Sequence, residues 1–418
     1  MRANDTLDFD FNTLPQIGNG FLTRLNAIRE ADPVFWSDHQ RGWIVTRHAD
    51  VTEGYSGRLP LSTARLVETV VQGFPERAAK MPALMKSLPN WIINADPPAH
   101  TRMRSLMNKA FGPKVVSSVR SFAQANIDAV LDEVAERGTA ECNEDIARII
   151  TAKTILKLLG VPQEHLPRLK EWATAVVGVL ATVNAPDDVL AAGERAVLEM
   201  FDLFAEEIEK RRANPQDDVF TGLVQAVDGG DRLTMEEMVG CSVVLLLAGH
   251  DTTLNSMVLG VETLSRYPEH RKFLREHPEG IDKAVLELMR YFAMATGQTR
   301  LAIEDFEWHG KRLKKGDPVY LMTAGANRDP RVFENPEVLD FSRDGYNNMT
   351  FAPGIHHCIG HLLARMQLNE FFSRTYQRFS HVEVIEDNPQ FAPPWVFRGI
   401  PKLEVRVHSL ASNMAAAG

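Results

Sequence analysis

The sequence predicts a mainly α fold with a minor β region, on three observations. From about residue 100 onward, apolar residues recur at helical spacing over 114–136, 144–160, 187–212, 234–266, 279–292 and 358–379. Strand-like pieces are short and few: PVFWSD and GWIVTR, which flank HQR as a small hairpin, then stretches near 307–320 and 382–407. No internal repeat, low-complexity block or linker breaks the 418 residues. The whole of 1–418 therefore reads as one domain, β-rich over roughly 30–60, helical over roughly 100–380 and closed by β-hairpins over 382–407. A disordered tail is expected over 409–418.

Composition is that of a globular chain, 44% hydrophobic and 24% charged, and supplies enough apolar bulk for a large core. A net charge of −9 without a concentrated Lys/Arg block argues against a nucleic-acid partner. The N-terminus, MRANDTLDFDFNTLPQIGNG, has no charged start followed by an apolar run and no spanning segment. A soluble, cytoplasmic monomer with no membrane partner is the expectation. Cys142, Cys241 and Cys358 lie far apart, form no CxxC and are too few for a disulfide scaffold.

The 234–266 stretch is unusual in length. Thr234 and Glu237 in TMEE form a capping box, and Pro268 marks the far end. Its middle, VVLLLAG, is apolar all round and should run through the core. HDTT then follows in mid-helix, so Val244, Leu247, Ala248, Asp251 and Thr252 share one stripe. A buried carboxylate needs a partner. A neighbouring cation for Asp251 and a backbone bond from Thr252 within the helix would account for the pair structurally; a reactive role is the alternative. Gly249 weakens a helix by about 1 kcal/mol, which a ligand-induced opening would explain.

Cys358 stands in FAPGIHHCIG just where the apolar pattern of Ile359, Leu362, Leu363 and Met366 begins. A helix N-terminus favours the thiolate, the metal-ligating form of cysteine. Gly354 and Gly360 permit backbone conformations and close approach, and Phe351 is placed to shield the sulfur. These features fit a haem iron held by a cysteine thiolate. The competing metal is zinc on His356, His357, Cys358 and His361, but adjacent residues share a tetrahedral site poorly and no second ligand pair of matching spacing exists.

Phe351, Gly354, His356, Cys358 and Gly360, spaced F-x-x-G-x-H-x-C-x-G, resemble the haem signature of the cytochrome P450 monooxygenases of the soluble bacterial type. A chance match to five fixed positions is on the order of one in ten thousand for such a chain. Ala352 and Pro353 depart from the pattern, where relatives often carry glycine and a less rigid residue. The similarity extends to Glu287 and Arg290 in ELMR, a pair joined in that family by a later arginine, here Arg343 in DFSR. AGHDTT, Ala248 to Thr253, is similar to the oxygen-activating part of the family's long central helix. DPPAHTRMR resembles the segment that supplies His100 and Arg104 to the haem propionates, with Arg300 and His356 as the other two partners. ANRDP (326–330) and LAR (363–365) complete the bacterial pattern. A proline common after the E-x-x-R helix is missing from YFAMATGQTR, which leaves the shape of 293–299 open.

The resemblance implies a cytochrome P450-like fold with a long central helix, haem b (iron protoporphyrin IX) as cofactor, and dioxygen as co-substrate. It implies Ala248 and Gly249 against the cofactor, Cys358 as axial ligand, and Asp251 and Thr252 as the proton-delivering pair. Electrons must come from outside, since no flavin or nicotinamide fingerprint and no iron–sulfur cysteine set occurs. The family's usual donor is a ferredoxin with its ferredoxin reductase; Arg102, Lys109, Lys114 and Arg365 are candidates for a basic docking patch. Candidate pocket walls are the 80–94 loop, the 170–185 region, Val244, Leu247 and Ala248, residues 293–299 including Ala295 and Thr296, and Val396 with Phe397. They are mostly apolar and suggest a small hydrophobic substrate, such as a terpenoid, aromatic or fatty compound. A haem-thiolate ligand-binding or sensor protein without turnover, and a peroxide-driven peroxygenase, are the alternatives; the acid–alcohol pair argues against both.

Overall fold

The computed structural model describes residues 7–11, 20–64, 75–181, 185–392 and 397–410. Its helices of eight or more residues are α1 (Gly20–Ala31), α2 (His48–Tyr55), α3 (Ala99–Ala110), α4 (Arg120–Arg137), α5 (Arg148–Leu159) and α6 (Leu166–Ala181). They continue with α7 (Asp187–Ala213), α8 (Met235–Ser265), α9 (Pro268–Glu276), α10 (Ile281–Phe292) and α11 (His361–Arg378). The strands are β1 (Val34–Ser37), β2 (Gly42–Val45), β3 (Leu61–Ser62), β4 (Thr139–Glu141) and β5 (Gln298–Ala302). The remaining strands are β6 (Phe306–Trp308), β7 (Lys311–Leu313), β8 (Pro318–Leu321), β9 (Phe379–Val384) and β10 (Glu404–Ser409). The mainly α fold with a minor β part is what the periodicity predicts.

Two compact units emerge. The first comprises 1–61, 123–151 and 251–418. Its larger sheet runs β1-β2-β8-β5-β3, with β1 and β2 paired antiparallel as the expected hairpin and β2 parallel to β8. A second sheet, β4-β10-β9, gathers the C-terminal strands, and β6 pairs with β7. Its main apolar core draws Leu254, Met257 and Val258 from α8, Leu288 and Met289 from α10, and Phe371, Phe372 and Tyr376 from α11. Gly260 lets the ring of Phe372 approach, since a Cβ there would stand 2.2 Å from it. The second unit comprises 62–122 and 152–250. There α6 packs on α7, and a buried ion network joins Arg211 to Glu207 and Asp218 at 2.6 and 2.7 Å. Burying these charges is tolerable because each is met by an opposite partner.

Some boundaries differ from the sequence reading. The 144–160 helix is an α-helix only from Arg148, after a wider turn over Cys142–Ala147 whose N-terminus is capped by the Glu141 side chain. The 358–379 helix starts at His361, leaving Cys358 in the preceding loop. The 80–94 loop is helical in pieces, Pro82–Ser87, Leu88–Asn90 and Ile92–Asn94. Ser409 still belongs to β10, while 411–418 and Val396 lie outside the described residues.

Candidate active site

The loop carrying Cys358 is fixed by its backbone. Cys358 N donates to Phe351 O at 2.9 Å, and His357 N donates to Gly354 O at 3.1 Å. The Cys358 carbonyl lies 2.9 Å from His361 Nδ1, at the start of α11. The rings of Phe351, His357 and His361 cluster around this turn, the two histidines 4.7 Å apart. Gly354 has φ +80°, and a Cβ there would lie 2.3 Å from the carbonyl oxygen of Tyr55. Only glycine fits both the conformation and the contact. Ala352, the departure noted above, also sits in the left-handed region at φ +53°. At Gly360, by contrast, the nearest atom to an added Cβ would be Cys358 Sγ at 3.9 Å, so no protein atom forbids a side chain.

The three cysteines separate clearly. Cys142 and Cys241 are buried, and burial pushes both thiols up, that of Cys241 to about 12. Cys358 is half-exposed and stands one turn before a helix N-terminus. Among the described residues, no group of three or more His, Cys, Asp or Glu could hold a metal ion. That removes the four-ligand zinc cage and leaves a single sulfur, the donor set a haem iron requires of a protein.

Arg300, on β5, is 5% exposed, and its guanidinium carbon lies 4.9 Å over the ring of Tyr55 at the end of α2. Tyr55 is buried, and its hydroxyl has no hydrogen-bond partner among the described residues. Nothing in the sequence singles it out. His356 is half-buried in the same unit. In the second unit, His100 is buried on α3 and Arg104 follows one turn later, bonded through Nε to Asn108 at 3.2 Å. Burial, then Arg104, holds the His100 imidazole below its usual range, with Asp96 opposing. The Asp96 carboxylate accepts from the Ser62 hydroxyl and from Thr63 N and Oγ1, both at 3.0 Å, while its carbonyl accepts from His100 N at 2.9 Å. Asp96 thus ties the start of α3 to the 62–63 strand end, a positioning role that sequence reading missed.

Helix α8 carries the acid and the alcohol. Thr234 Oγ1 accepts from Glu237 N at 3.2 Å and Glu237 Oε2 accepts from Thr234 N at 2.9 Å, the reciprocal bonds of a capping box. The helix is long and apolar enough to cross a membrane, but two thirds of that window is buried in protein. Val243 to Leu246 are buried; Leu247 and Gly249 are half-buried and Ala248 is exposed in the middle of a core helix. Asp251 and Thr252 are half-buried. Around Gly249 no wider turn interrupts α8, which runs over 31 residues. The glycine admits Ile155 of α5, whose Cδ1 would stand 2.9 Å from a Cβ there. Burial raises the Asp251 carboxyl, and the cation of Arg148 opposes it. Arg148 went unnoticed in the sequence because its neighbour lies in a different helix.

Glu287 and Arg290 are buried on α10, joined by Nε–Oε2 and Nη2–Oε1 bonds of 2.7 and 2.8 Å. Arg343 Nε donates to the same carboxylate at 3.2 Å and Asp340 N at 3.1 Å. Arg290 further donates to the carbonyls of Asn327, Pro336 and Val338 at 2.9, 2.8 and 3.1 Å. Of the pocket candidates, Ala295 and Phe397 pair backbone to backbone, and Phe397 exposes 45% of its surface. Thr296 is buried, its carbonyl accepting from Ala324 N at 2.9 Å. The left-handed Ala293 (φ +51°) ends α10 where relatives' proline was missing. Val244 is buried. The proposed basic patch is largely neutralised: Arg102 bonds Glu237 at 2.8 Å and Asp231 at 3.1 Å, Lys109 bonds Asp228 at 2.8 Å, and Arg365 bonds Asp282. Lys114 is exposed.

A continuous core helix whose apolar run gives way to an acid–alcohol pair, and a half-exposed cysteine in a loop ahead of a helix, match the pattern of a haem-binding class of protein. A sequence profile described as "Cytochrome P450" matches residues 185–407. Polyketide biosynthesis cytochrome P450 PksS of Bacillus subtilis (strain 168) is 29% identical, covering 91% of this chain and 94% of the relative. Mycinamicin IV hydroxylase/epoxidase of Micromonospora griseorubida is 31% identical over 92% of this chain and 90% of its own. Among solved structures, P450BioI in complex with an acyl carrier protein ligated to hexadec-9Z-enoic acid superimposes with a TM-score of 0.83 at 27% identity, covering 93% of this chain and 98% of that one. The chain belongs to the cytochrome P450 family. It is an oxidoreductase of the monooxygenase type, and the family implies haem and dioxygen.

Proposed function

We propose that this monooxygenase hydroxylates, or otherwise oxidises, a small hydrophobic organic molecule in the cytoplasm, using electrons from a ferredoxin reduced by its reductase. The observation that carries the reading is Cys358, the one cysteine of three left accessible, in a loop whose backbone bonds hold it ahead of α11. Cys358 would hold haem iron through its thiolate, with His100, Arg104, Arg300 and His356 meeting the haem carboxylates. Bound there, haem supplies reductive activation of dioxygen, and an anionic sulfur ligand favours cleavage of the O–O bond.

The remaining chemistry belongs to side chains. Thr252 would present its hydroxyl to the reacting oxygen and hold a proton there. Asp251 would pass protons inward; burial raises its carboxyl, with Arg148 opposing. Val244, Leu247, Ala248, Ala295, Thr296 and Phe397 would bound the substrate and keep bulk water out. Their apolar character supports a hydrophobic substrate, and hydroxylase/epoxidase activity in a 31%-identical relative supports the reaction class. Two measurements test the reading. The reduced, carbon monoxide-bound protein should show the thiolate-type Soret band, and its absence would reject Cys358 as ligand. Thr252→Ala should consume reducing equivalents without matching product; intact coupling would reject the proton-delivery role.

A further inference from the structure

On the reading of this chain as a haem protein, we propose that Tyr55 is a further haem-binding residue, its phenol O–H donating a hydrogen bond to a haem carboxylate beside Arg300. Tyr55 is 3% exposed, and its Oη has no hydrogen-bond partner among the described residues. Buried tyrosine hydroxyls find acceptors, because an unmet O–H in a dry site loses its hydration for nothing. The charged group over its ring cannot serve: a guanidinium has donors only, and Arg300 sits with its carbon 4.9 Å from the ring centre. Arg300 already donates to two neutral acceptors, the Thr299 carbonyl at 3.1 Å and Gln298 Oε1 at 3.3 Å, and an acceptor beside the phenol would meet both the O–H and the guanidinium charge. It must be anionic to match Arg300 and must have lone pairs to spare for the phenol, which describes a carboxylate.

The placement is rigid. Tyr55 terminates α2, and its carbonyl lies against Gly354 so closely that a Cβ there would stand 2.3 Å away. The phenol and the Cys358 loop therefore hold a fixed relation within one unit. Burial pushes the phenol up to about 12, with Arg300 opposing, so the O–H stays a donor throughout the working pH range.

The test is Tyr55→Phe in the haem-loaded enzyme, which removes Oη but keeps the ring under Arg300. Transfer of haem to excess apomyoglobin should accelerate roughly ten- to a hundredfold, as expected for one hydrogen bond to a charged acceptor. The iron midpoint potential should fall, because a carboxylate stripped of a donor favours the ferric state. Tyr55→His, which returns an N–H on a ring, should recover part of the haem retention. Unchanged transfer and unchanged potential in a folded Tyr55→Phe protein would overturn the proposal, since a packing role leaves both untouched. A wild-type protein that takes up no haem would instead reject the underlying reading.

Discussion

Replacing Glu287 by glutamine should destabilise the first unit by about 3–5 kcal/mol, the range for removing one partner of a buried ion pair. The carboxylate accepts four hydrogen bonds: two from Arg290 at 2.7 and 2.8 Å, one from Arg343 Nε at 3.2 Å and one from Asp340 N at 3.1 Å. Glutamine keeps one acceptor oxygen and turns the other into an NH2 that meets N–H donors head-on. At least one charge-assisted bond to Arg290 is lost, and its guanidinium, 1% exposed, keeps a charge without a counter-charge. Arg343→Ala should cost less, about 1–2 kcal/mol, since that side chain is 12% exposed and makes one longer bond to Glu287. Converting both Glu287 and Arg290 to methionine should not rescue stability, because the carbonyls of Asn327, Pro336 and Val338 would lose their donor. Urea unfolding followed by circular dichroism gives the ranking, and hydrogen exchange over 334–345 locates the loss. A Glu287→Gln protein within 1 kcal/mol of wild type, or one less affected than Arg343→Ala, would refute the reasoning.

Gly354→Ala should cost about 3 kcal/mol or more, combining a left-handed backbone at φ +80° with a Cβ forced onto the Tyr55 carbonyl, and should lower haem incorporated per chain; full incorporation would show that the loop can move aside. Asp251→Asn tests the half-buried acid by its pH dependence. Because burial raises the folded carboxyl above its unfolded value, its stabilising contribution is complete below the unfolded value, about pH 4, and is lost as pH rises through the folded one. The variant should therefore be more stable than wild type at pH 8, with the advantage vanishing towards pH 4; a pH-independent difference would reject the assignment. Native protein treated with iodoacetamide at pH 8 should carry no label on Cys142 or Cys241, whose thiols burial keeps protonated, as peptide mass spectrometry can check.

Local signals were legible in the sequence and long-range ones were not. Helix α8 announces itself because its capping box and its periodicity belong to the segment they define, and Pro268, which opens α9, stands just past its end. The Cys358 turn is equally self-contained, its closing bond running only from Cys358 to Phe351. The E-x-x-R pair could be read, but not its depth of burial, which depends on carbonyls brought from 327, 336 and 338. The same limit explains the basic patch: Arg102, Lys109 and Arg365 look free in the sequence because Glu237, Asp228 and Asp282 are supplied from far along the chain. Tyr55 and Arg148 carry no signal of their own, since a tyrosine closing a short helix and an arginine opening another are commonplace until their neighbours are known.

The neutralised cations change the physics of partner docking. A ferredoxin steered by charge alone would have to displace Glu237, Asp231, Asp228 or Asp282 from the arginines and lysine they hold, exchanging one ion pair for another with little net gain. Of the four candidate cations Lys114 alone is left for attraction at a distance, weak support for a chain of net charge −9. Close contact has other resources within the first unit, which also carries Arg365: Ile355, in the Cys358 loop itself, exposes 41% of its surface, and Tyr346, in the segment leading to it, exposes 92%. Specific binding of an electron donor here would draw more on these apolar groups than on salt-sensitive pairs, because burying them costs no broken ion pair.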